Sequence, residues 1–99
     1  SAELGAQVYQ RIGCVACHST DGSTAGKLGP TFRGLYGSLR TFTDGSTARA
    51  DEAYLRQSIL EPAAKIVQGY QEGMPSYLGV LSDAEVESLI LYIRSLANK

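Results

Sequence analysis

The chain has 99 residues, 43% of them hydrophobic, with nine basic and ten acidic side chains and a formal net charge of −1. That length fits one compact domain over residues 1–99, and the apolar share is too high for a disordered segment. Basic residues stand singly and only three are lysines, which leaves no footprint for nucleic acid and no polybasic segment for an anionic membrane.

Leu4, Val8 and Ile12 recur at i, i+4 and i+8, one face of a helix expected over about residues 3–13. Gly5 and Tyr9 form a second row on it, and a glycine inside a helix implies close approach of another element. From Ser19 to Thr47 the chain reads as loop, rich in Gly, Ser, Thr and Asp, with Gly34-Leu35-Tyr36-Gly37 inserting two large apolar residues. A loop that long in a compact domain is expected to wrap something. Asp51 can cap a second helix, Glu52 to Leu60, which Pro62 halts. Ala63 to Leu81 is again irregular. Ser82-Asp83-Ala84-Glu85 has the form of a capping box, and Val86, Leu89, Ile90, Ile93, Leu96 and Ala97 continue it as an amphipathic helix. Three helices joined by glycine-rich loops make an all-α plan.

Cys14-Val15-Ala16-Cys17-His18 is the C-x-x-C-H pattern of c-type haem attachment. Two thiols three positions apart can each add to one vinyl group on the same porphyrin edge. The next residue then projects its imidazole to the iron. Both cysteines and the sole histidine of the chain lie in this window. A Cys-x-x-Cys pair also serves thioredoxin-like redox proteins, but those need a βαβ setting that the pattern lacks. It also serves zinc, which needs four ligands where this window has three.

A ligating histidine usually donates its second ring N–H to a carbonyl, and Gly29-Pro30 is the candidate, with a plain turn as the alternative. With no other histidine, the sixth iron ligand must be a different residue type. Met74, the single methionine, sits in Gly73-Met74-Pro75, a backbone fixed as a strapped ligand requires. A lone methionine otherwise fills gaps in a core. Methionine with histidine is the axial pair that raises a haem's reduction potential.

These residues resemble class I cytochrome c over nearly the whole chain, from Gly5 and Tyr9 through the attachment motif and Gly29-Pro30 to Gly73-Met74-Pro75, Leu89 and Tyr92. The resemblance implies the cytochrome c fold, three main helices and long loops around one covalent haem c with its iron, Gly5 and Tyr9 meeting Leu89 and Tyr92. It places Arg40 near a haem propionate, slightly displaced, with a solvated loop charge as the alternative; Tyr36 and Tyr54 are further candidates. Ala50 to Pro62, Lys65 to Tyr70 and Met74-Pro75-Ser76-Tyr77 are similar to the cytochrome c domain at the C-terminus of subunit II of some bacterial cytochrome c oxidases.

The resemblance implies single-electron transfer with no substrate on the metal, from a redox protein donor to the copper-centre domain of the same subunit. The domain itself is then not an enzyme. The implied electron entry is a haem edge framed by Val15, Ala16, Ala63, Ala64 and Pro75, which predicts an apolar docking patch with weak salt dependence. The longest apolar run, Leu89–Ile93, is far short of the ~20 residues of a transmembrane helix. No signal-peptide pattern stands near Ser1, so a mature soluble protein or an excised soluble domain is expected. Because haem c is attached outside the cytoplasm in bacteria, the resemblance implies that the chain faces the periplasm. The alternatives are a free-standing cytochrome c, the haem domain of a dehydrogenase, and a five-coordinate haem that binds a gas or reduces peroxide with Met74 off the iron.

Overall fold

The computed structural model describes residues 1–97. Helix α1 spans Ala2–Arg11, helix α2 Glu52–Leu60 and helix α3 Asp83–Ser95. A short antiparallel hairpin, β1 (Leu39–Thr41) and β2 (Thr47–Arg49), lies between the first two, in the register Arg40 opposite Ala48.

Local chemistry sets each boundary. Gly13 adopts φ 87°, a left-handed conformation that stops α1 two residues before the sequence pattern does. On α2, the Asp51 carboxylate accepts from the Tyr54 backbone N–H at 2.8 Å. On α3 both halves of the capping box form: the Glu85 N–H donates to Ser82 Oγ at 3.2 Å, and the Ser82 N–H donates to Glu85 Oε1 at 2.9 Å.

β1 falls inside the segment expected to be loop, and β2 begins at its last residue, Thr47. The strands are three residues each, too short for an alternating pattern to show. Asp44 builds the turn by accepting from the Ser46 N–H at 2.9 Å, and Gly45 at φ 86° completes it. The hairpin also anchors the second irregular segment. The Thr43 N–H donates to the Ile66 carbonyl and the Gln68 N–H to the Thr41 carbonyl, each at 2.8 Å.

Helices α1 and α3 cross at Gly5. A Cβ there would lie 2.7 Å from the Tyr92 Cβ and closer still to the Ser88 carbonyl. Tyr9 meets Tyr92 with ring centroids 5.5 Å apart and Gly5 also packs on Tyr92, as the resemblance implied; the α3 backbone nearest Gly5 is that of Ser88. Leu89 is buried one position on and lines the cleft described below. Val8, Val86, Ile90 and Ile93 fill the space around the crossing, all 2% exposed or less.

Candidate functional site

Behind the crossing the two long loops and α2 enclose a cleft of about 760 Å³. Gly13 turns the chain into a single 3₁₀ turn, Cys14–Ala16, and the His18 N–H closes back on the Cys14 carbonyl at 2.9 Å. That compact turn brings Cys14, Cys17 and His18 together on the cleft wall. The rest of the lining is largely apolar and includes Phe32, Leu35, Leu55, Ile59, Ile66, Val67 and Ile93.

His18 Nδ1 donates to the Pro30 carbonyl at 2.7 Å. This bond assigns the ring's proton to Nδ1 and leaves the Nε2 lone pair free for a metal. Burial lowers the imidazole pKa, while the Pro30 carbonyl pulls it upward, so the ring is neutral at pH 7, the state a ligand needs. Gly29 makes the approach possible: a Cβ there would sit 2.7 Å from His18 Nδ1 and 2.9 Å from Nε2.

Burial pushes the Cys14 thiol up to about 11, so it is no ready thiolate. Among the described residues no three His, Cys, Asp or Glu side chains converge as a metal-binding group, which leaves zinc without a ligand set. The only strands among them are the antiparallel hairpin, so the βαβ frame of a thioredoxin-like dithiol is also missing.

Met74 and Pro75 line the same cleft as His18. Tyr54 lines it too, with its ring 5.5 Å from Phe42. The structure does not bring Tyr36 to the cleft wall; its ring lies under the Arg94 guanidinium at 5.3 Å. Arg40, on β1, stands outside the lining residues, yet its Nε is buried with no acceptor.

The sequence model of the cytochrome c family matches residues 2–97. The chain belongs to the cytochrome c family. No curated protein matches it. Among solved structures it is similar to cytochrome cH from Methylobacterium extorquens, 24% identical, with a TM-score of 0.68 over 96% of this chain and 98% of that chain. That likeness shows the shared fold: helices and long loops around one site.

As a cytochrome c the protein carries one covalent haem c with its iron. The residues present fit the group. A largely apolar cleft offers two thiols and a neutral imidazole side by side; on β1, outside that lining, the buried Arg40 Nε lacks an acceptor.

Three contacts beside the attachment motif were not expected from the sequence, which placed Tyr9 only at the helix crossing, Tyr77 only in the segment after Met74, and gave Phe32 no role. Phe32 stacks on the imidazole with centroids 4.7 Å apart and planes 20° apart. The Tyr9 hydroxyl donates to the His18 carbonyl. Tyr77 lines the cleft, and its hydroxyl reaches the Ile12 carbonyl at 3.4 Å. Phe32 and Tyr77 lie in irregular segments, where no period marks a buried residue; the available signal for Phe32 was its place two residues beyond Pro30.

Proposed function

We propose that this cytochrome c is a single-electron carrier whose haem is bonded through Cys14 and Cys17 and ligated by His18 and Met74. The observation that carries the reading is the His18–Pro30 hydrogen bond on the wall that holds both thiols, with Met74 lining the same cleft. The haem supplies one-electron exchange between ferric and ferrous iron. The Pro30 carbonyl raises the basicity of the imidazole and favours the ferric state, whereas the Met74 thioether favours the ferrous state. The apolar lining excludes water, and the buried, unpaired Nε supports Arg40 as the donor to a haem propionate. Tyr54, on the cleft wall, is the second candidate for that role.

The test is optical. The oxidised protein is expected to show the weak near-infrared sulfur-to-iron band, lost in Met74→Ala, and the reduced protein is expected not to bind carbon monoxide readily. A missing band together with ready carbon monoxide binding would show that Met74 does not ligate the iron and end this reading.

We further propose that electrons enter at an edge framed by Val15, Ala16, Ala63, Ala64 and Pro75, all exposed. Leu28, 77% exposed and on the cleft lining, extends that surface. The likeness of residues 50–62, 65–70 and 74–77 to the oxidase subunit II domain supports an acceptor in a dinuclear copper domain, on the periplasmic face of the membrane. No helix among the described residues is long and apolar enough to cross a membrane. Reading the parent gene tests the assignment: transmembrane helices and copper ligands encoded upstream of Ser1 are expected, and a dehydrogenase domain there would replace the oxidase.

A further inference from the structure

The His18 ring is held at its edge by one hydrogen bond, from Nδ1 to the Pro30 carbonyl. Such a bond is soft to tilting, because carbonyl oxygens accept over a broad range of directions. A second restraint must therefore fix the plane of the ring, and Phe32 is placed to supply it. Its ring lies 4.7 Å from the imidazole at 20°, a stacked arrangement in which a tilt of either ring costs dispersion contacts.

Phe32 is itself held. Its side chain is 5% exposed, and its backbone N–H donates to the Ser19 carbonyl at 2.8 Å. Tyr9 meets its ring at 5.5 Å and 57° while donating its hydroxyl to the His18 carbonyl, so one α1 side chain braces both the stacking ring and the histidine backbone. Tyr9 in turn rests on Tyr92 of α3. The aromatic series Tyr92, Tyr9, Phe32, His18 joins the helix crossing to the imidazole through three ring contacts.

We propose that Phe32 is a positioning residue that sets the plane of the His18 imidazole relative to the iron. The proposal rests on the reading of His18 as the iron ligand. In low-spin ferric haem the orientation of the axial ligands selects the porphyrin orbital that holds unpaired spin density. The spread of the haem methyl proton shifts therefore reports the imidazole plane, independently of any electron-transfer rate.

The experiment compares haem methyl shifts in oxidised holoprotein of the wild type, Phe32→Leu, Phe32→Met and Phe32→Tyr. Leu and Met fill the space without a ring, and Met, being flexible, decides the matter where the Leu variant does not load haem. Tyr keeps the stack. The expected result is a wild-type pattern in Phe32→Tyr and a changed spread in the other two. Val86→Ala is the packing control: Val86 is buried at the helix crossing and away from the cleft, so it should lower thermal stability and leave the pattern intact. A wild-type pattern in Phe32→Leu or Phe32→Met would overturn the proposal, as would an equal change in Val86→Ala. Failure of the His18 reading looks different: the wild type itself would show no resonances of a ligated imidazole, and both conclusions would fall.

Discussion

Gly5 of α1 lies directly against the Ser88 carbonyl of α3, with the Tyr92 Cβ 2.7 Å from where a methyl group on the glycine would stand. An alanine there gains about 1 kcal/mol of helix propensity over glycine. Overpacking costs roughly 1–3 kcal/mol in a core, and here the obstacle is backbone, which cannot swing aside as a side chain can. The clash outweighs the propensity. With an obstacle of backbone putting the cost in the upper part of that range, Gly5→Ala is expected to lose about 1–2 kcal/mol net in denaturant unfolding of the holoprotein; an unchanged or raised midpoint would show that the helices part at little cost.

Gly29 gives a comparable test at the site. Its missing side chain leaves room for the His18 ring, and a Cβ would approach Nδ1 to 2.7 Å. Gly29→Ala must push the loop or the imidazole away and break the 2.7 Å bond to the Pro30 carbonyl. Without that acceptor the ligand is less basic, and ferric iron loses part of its stabilisation. The expected outcome is a higher reduction potential or a high-spin fraction in the oxidised spectrum. A wild-type potential and spectrum would mean that the loop relaxes without disturbing the ring.

How far these features were legible depends on whether a local rule governed them. The start of α2 and the capping box of α3 follow from side chains within three positions of their backbone partners, so the sequence displayed them. The attachment motif was visible for the same reason, since its spacing is itself the chemistry. The hairpin was not, because three-residue strands carry no period and their stability comes from pairing with each other and with residues 66–68. Phe32 on His18 is a contact between two loop residues, set by the fold of the whole segment. Arg40 shows a middle case: family position pointed to it, and only the structure revealed a buried Nε with no acceptor.

The capping box of α3 also gives the protein a pH dependence. The Ser82 backbone N–H, and after it the Arg11 guanidinium, hold the Glu85 carboxyl below its usual value. A carboxylate with a depressed folded-state pKa adds stability above its unfolded value, about 4.3, and loses it as pH falls through the lower folded one. Glu85→Gln keeps a side chain that can reach the Ser82 N–H but removes the charge. The wild type is therefore expected to be the more stable near pH 7, and the gap in melting temperature should narrow as pH falls below about 4. A gap that stays constant down to pH 3 would mean that the charge on Glu85 contributes nothing.

The proposed electron-entry edge makes a sharper electrostatic prediction. Five of its residues are exposed and uncharged, and the two lysines on the cleft lining are turned to local partners. Lys27 Nζ donates to the Val15 carbonyl at 3.2 Å, and Lys65 lies over the Phe42 ring at 5.2 Å. Two copies meeting edge to edge then bring together a mainly apolar surface on which the Lys27 ammonium, beside Val15, is the nearest charge, so screening by salt acts on few charges. Electron self-exchange between oxidised and reduced protein, followed by NMR line broadening, is expected to change by no more than a few-fold from low salt to about 0.5 M. Val15→Lys places a like charge on each partner at the 37% exposed position beside the attachment turn. That variant should exchange more slowly at low salt and recover as salt is added, because the repulsion is screened over about 10 Å at 0.1 M. A wild-type rate that fell many-fold with salt, or a Val15→Lys variant that exchanged like the wild type at low salt, would place electron entry on another face of the molecule.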